Sequence, residues 1–187
     1  MKNSTLRNVT AVIAKIIEVV SWFGCGCLLV ATLVLTINKM LIMDEYEGEV
    51  AANGHFSLTA ANGVDITDRF IASVGNGTVF WELAPYIVLL VLTALIFMNI
   101  YKVFRKSNTA SPFSAENIKR IKTIGYLTIA IPVAKVVMQL VYLLVTGETN
   151  YDFSISLAEF AFGLVALSLA QYFAYGAQLE HDVDGLV

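Results

Sequence analysis

Charge is scarce in this chain. Only 14% of its 187 residues are Asp, Glu, Lys or Arg, where an average soluble domain carries about 25%. Cysteine and histidine appear twice each and proline three times. Two cysteines are too few for a disulfide-stapled secreted scaffold. The low proline content removes a collagen-like fibre, and the shortage of charge removes a disordered chain. What the chain has instead is apolar side chain, 57% of all residues, with a mean hydropathy of +0.71. A water-soluble domain of this length cannot bury that much. The composition selects a small membrane bundle.

Four apolar stretches are long enough to cross a bilayer, which takes about 20 residues per helix. They run over about 16–43, 83–101, 123–146 and 153–177. The first reads as a retained helix, because Lys15 and Glu18 interrupt its start and no small-residue cleavage site follows. The bulky Trp22 and Phe23 before Cys25 argue against a lipoprotein-type attachment. Pro85 is expected in the opening turn of the second helix, where its missing N–H costs nothing. Continuous apolar runs are not the alternating segments of an outer-membrane barrel. The expected fold is an all-α integral membrane protein, a four-helix transmembrane bundle forming a single membrane domain.

The connecting segments orient it. The 102–122 loop carries Lys102, Arg105, Lys106, Lys119, Arg120 and Lys122 against Glu116, so it is expected in the cytoplasm. The 44–82 segment carries seven acids against Arg69 and is expected outside, as is 147–152. Both termini are then expected on the cytoplasmic side of the bacterial inner membrane, with an acidic cytoplasmic tail over 178–187. In the outer loop, Asn53-Gly54 and Asn62-Gly63 flank a short alternating stretch, a signal for a small β-hairpin.

Chemistry is thin. Cys25 and Cys27 stand two positions apart on a helix, ~200° around it, so they cannot share a metal and read as packing residues. His55 and His181 fall on opposite faces of the membrane by this topology. No phosphate loop, HExxH pattern or nucleophile elbow occurs. The expectation is no enzyme, no catalytic or metal residues and no cofactor. Charge within lipid is costly and is usually paired or functional, which singles out Lys135 and Glu159. Lys135 lies ~16 Å of helix rise below the outer end of its span and Glu159 ~9 Å below the end of its own, so a snorkelling lysine reaches the carboxylate. Pro132, Lys135, Gln139 and Tyr142 share one helix face. Glu159, Gly163, Ala166, Ala170 and Ala174 share another, a small-residue stripe suited to close helix packing. A register-fixing ion pair outweighs an ion or proton path here. Lys15, Glu18 and Lys39 are expected to snorkel to the boundaries.

On the inner side, Ser114 reads as an N-cap with Glu116 in the first turn, followed by the basic helix of Lys119, Arg120 and Lys122. Those bases suit anionic lipid headgroups, an acidic partner, or topology alone. With Glu180, Asp182 and Asp184 of the tail they make a two-signed surface. Direct nucleic-acid binding is not expected.

The run Ser111-Pro112-Phe113-Ser114-Ala115-Glu116-Asn117-Ile118-Lys119-Arg120-Ile121-Lys122-Thr123-Ile124-Gly125 resembles the inner-loop signature of a bacterial family, domain of unknown function 2975. The stretch Tyr172-Phe173-Ala174-Tyr175-Gly176-Ala177-Gln178-Leu179-Glu180, followed by Asp182-Val183-Asp184, resembles the close of that family's chains. The resemblance extends over nearly the whole chain and implies a small four-helix inner-membrane protein without established catalytic or cofactor residues. It also implies a partner, because members are commonly encoded beside a very short helix-turn-helix transcription regulator. The leading expectation is a non-enzymatic membrane partner or sensor for such a small cytoplasmic DNA-binding regulator. The alternative is a homo-oligomeric small-solute or ion permease component that uses the Lys135/Glu159/Gln139 interior.

Overall fold

The computed structural model describes residues 2–39, 43, 67–106, 114–147 and 157–184, and among them every regular element is a helix. In chain order these are α1 (Lys2–Ile37), α2 (Thr67–Asn76), α3 (Val79–Lys106), α4 (Ala115–Thr146) and α5 (Leu157–Asp184). All but α2 are long and apolar enough to cross a membrane. The protein is an all-α membrane-spanning chain. The hairpin expected around 53–64 lies outside the described residues.

The long helices pack in chain order, α1 on α3, α3 on α4 and α4 on α5, with α2 against α3. What lies between them is mostly small: Ala11, Ala14, Ala84, Ala94 and Ala170 are buried. The large aliphatic and aromatic side chains point away, Leu144 at 84% exposure and Phe162 at 71%. A water-soluble bundle does the reverse. In lipid there is no hydrophobic gain from burying Leu, so close backbone approach and dispersion hold the helices together.

The α1 seam shows this spacing clearly. Ala11, Ala14, Glu18, Ser21, Cys25 and Thr32 are buried in steps of three, four, three, four and seven, the 3.5-residue period of left-handed helix pairing. Cys25 lies on that seam and Cys27 faces out, as their angular separation requires. The α4–α5 contact is tighter still. A Cβ on Gly125 would stand 3.1 Å from the Gly163 carbonyl oxygen, and one on Gly163 would meet Ile129 Cγ1 at 2.5 Å. Only glycine admits this crossing.

Several limits differ from expectation. The expected second span gains α3 residues from Val79 onward, so buried Pro85 stands inside the helix, not in its first turn. Its ring nitrogen leaves the Trp81 carbonyl without the usual donor. The expected loop to residue 82 contains α2, stopped by Gly77 at φ +73°. Gly77 N–H donates to Val74 O at 3.1 Å and Thr78 N–H to Ser73 O at 2.8 Å. That paired pattern needs a left-handed residue, which glycine supplies without a Cβ penalty.

Candidate functional site

The polar interior centres on α4 and has two levels. At the upper level Glu82, in the first turn of α3, is only 7% exposed. Arg69 of α2 grips it with two bonds, Nε to Oε1 at 3.0 Å and Nη2 to Oε2 at 2.8 Å. Tyr142 of α4 donates its hydroxyl to Glu82 Oε1 at 2.5 Å, and the Arg69 guanidinium lies 5.5 Å from the Tyr142 ring centroid. Paired, planar Arg–carboxylate geometry is the strong form of this contact. Three helices are thus tied at one carboxylate, whose position at a helix N-terminus also suits its charge.

Two turns further down the same face of α4 stands Lys135. Its Nζ donates to Glu159 Oε1 at 2.6 Å. Glu159 occupies the first turn of α5, and Lys135 also lines a crevice with Pro85 and Leu89 of α3. The pair is less complete than the upper one, because Glu159 Oε2 is buried with no hydrogen-bond partner among the described residues. Gln139 lies one turn on from Lys135, half-buried. The small-residue stripe of α5 faces α4, with Gly163 and Ala170 buried. The structure brings Lys135 and Glu159 together, and Tyr142 of the same face goes to Glu82.

At the opposite, basic end, Ser114 caps α4: its side chain accepts from Asn117 N–H at 3.4 Å. Lys119 and Lys122 are exposed, whereas Arg120 turns back to Glu116 in an ion pair. Residues 180–184 continue α5, but the side chains of Glu180, Asp182 and Asp184 lie outside the described part. Among the described residues no group of His, Cys, Asp and Glu is arranged to hold a metal.

Two carboxylates differ from expectation. Glu82 and Arg69, counted among the charges of the outer 44–82 segment, form a buried interhelical cluster. Glu18 was expected to snorkel, yet it is buried on the α1 seam and bonded to Lys15 Nζ at 2.9 Å. A signal for Glu18 existed, since it falls in phase with the small residues Ala11, Ala14, Ser21 and Cys25.

The family model for the protein of unknown function DUF2975 matches residues 69–187. The chain belongs to the DUF2975 family. The matched part of this DUF2975 protein begins at Arg69 and contains the Arg69–Glu82–Tyr142 cluster and the Lys135–Glu159 pair. The likeness was expected over nearly the whole chain, and α1 with its Lys15–Glu18 pair precedes the match. No curated protein and no solved structure matches it.

Proposed function

We propose that this DUF2975 protein is a non-enzymatic membrane partner or sensor that holds a small cytoplasmic helix-turn-helix regulator and passes it a signal from the other side. One observation carries the reading. The single helix α4 bonds Glu82 through Tyr142 near one end, bonds Glu159 through Lys135 midway, and presents Lys119 and Lys122 at the other. Its 32 residues span about 48 Å, with Pro132 inside the helix between Lys135 and the basic end. A change around Arg69 and Glu82 would reach the basic surface along this one continuous helix. Lys119, Arg120 and Lys122 beside the acidic tail would form the docking patch, with opposite charges setting orientation and association rate.

Crosslinked pull-down of the tagged full chain from its native membrane tests this. Wild type is expected to recover a small DNA-binding protein, and Lys119→Glu/Lys122→Glu or loss of residues 178–187 is expected to reduce it. No such protein in the wild-type sample sinks the proposal.

The second reading is an oligomeric small-solute or ion permease component. Glu159 Oε2, buried without a partner among the described residues, favours it, while the crevice beside Lys135 is too tight for water. Transport into reconstituted vesicles that vanishes with Glu159→Ala would put this reading first.

A further inference from the structure

A cleft between α1 and α3 at the basic end has no part in the reading above. It is an open groove of about 530 Å³, with Val12, Lys15 and Ile16 on one wall and Tyr101, Phe104 and Arg105 on the other. Two cations converge there on one ring: Lys15 Nζ lies 5.2 Å and Arg105 Cζ 5.6 Å from the Tyr101 centroid. Arg105 Nη1 also donates to the Tyr101 hydroxyl at 2.5 Å. Lys15 is bonded to Glu18, which sits behind it in the seam and offsets one of the two charges. The cleft keeps a positive balance. Its apolar wall does not stop at the rim, since Val12 and Ile16 are 57% and 56% exposed and carry it onto the outer surface of α1.

We propose that this cleft binds an anionic glycerophospholipid, the phosphate between Lys15 and Arg105 and the start of an acyl chain against Val12 and Ile16. Depth supports the assignment. Lys15 stands where the apolar run of α1 begins, and Tyr101 and Phe104 where that of α3 ends, the level at which aromatic side chains and headgroups meet. Chemistry supports it too, since a guanidinium takes two phosphate oxygens at once and a lysine adds a point charge. The volume lies within the about 300–1,000 Å³ of small-molecule sites, and a free phosphate would leave the apolar wall bare. The site involves none of the residues assigned to the regulator, so either assignment can fail alone.

Native mass spectrometry of the full chain in neutral detergent tests it, with phosphatidylglycerol, phosphatidylcholine and glycerol 3-phosphate as separate probes. Phosphatidylglycerol is expected to stay bound at concentrations where the other two do not. Arg105→Gln spares the Lys15–Glu18 pair and is expected to weaken its retention about fivefold. Val12→Trp fills the cleft without altering charge and is expected to weaken it at least as much, so the test survives if Arg105→Gln misfolds. Lys39→Gln, the same charge change at the other end of α1, is expected to leave it unchanged. Equal retention of both phospholipids overturns the proposal, as does an affinity that follows Lys39 and ignores Arg105 and Val12. Glycerol 3-phosphate binding as tightly as the lipid overturns it as well, and makes the cleft a free-phosphate site.

Discussion

Glu82 and Glu159 are both glutamates in the first turn of a helix and both bonded to α4, the first buried and the second half-buried. They differ in how completely they are held. Each oxygen of Glu82 has an Arg69 partner, and one takes the Tyr142 hydroxyl as well. Glu159 has one bond, from Lys135, and a buried second oxygen with no partner among the described residues. A fully bonded buried carboxylate fixes one arrangement, because any displacement breaks several contacts at once. A half-bonded one leaves a polar group whose desolvation is uncompensated. The Glu82 cluster is the fuller fastening, whereas at Glu159 the ion pair adds less and the Gly125–Gly163 crossing one turn away keeps α4 and α5 close.

The largest effect should come from removing the fastening. Glu82→Ala strands Arg69 and the Tyr142 hydroxyl and is expected to cost about 3–5 kcal/mol, read as a lowered midpoint of thermal unfolding in detergent. If it costs no more than a change at Glu159, the contrast drawn above is wrong. Tyr142→Phe removes one bond to a charged group and should cost about 1.5–3 kcal/mol by the same measurement. Lys135→Met isolates a carboxylate that already lacks one partner, so about 1–3 kcal/mol is expected. The double change Lys135→Met/Glu159→Leu should recover most of that, as buried pairs replaced by apolar residues often do. A double variant as folded as wild type but unable to retain the proposed regulator would show that the pair does more than fix helix register. Gly163→Ala lies one turn from Glu159 and pushes α5 off Ile129, at about 1–3 kcal/mol for overpacking. The same thermal-unfolding midpoint in detergent reads this loss. Smallest is Ser114→Ala, about 1 kcal/mol for a lost cap, which should leave both carboxylates untouched.

Much of this was readable from residue order alone. The four spans follow from hydropathy, the reach of Lys135 to Glu159 from helix rise, and the cap at Ser114 from its spacing to Glu116. The position of Glu82 was not readable, because a charge counted for topology looks like a loop residue. Its burial depends on α2 folding back and on Tyr142, 60 residues away in sequence. Local pattern does not encode such a meeting. The stop of α2 at Asn76-Gly77 is a signal that the hairpin-directed reading of this loop passed over. Glu18 was missed for a different reason: its charge outweighed the heptad phase of its small neighbours, although that phase decides which face meets α3.

The two cysteines of α1 give the molecule a built-in reporter. Cys25 is covered by the seam with α3, while Cys27, two residues on, faces outward. Both sulfurs lie at mid-span, where lipid keeps a thiol slow to react. As denaturant is added in detergent, a thiol reagent should reach Cys27 first and Cys25 only once α1 has come away from its partner helix. The ratio counts detached helices with no engineered label, and its reference site lies on the same turn.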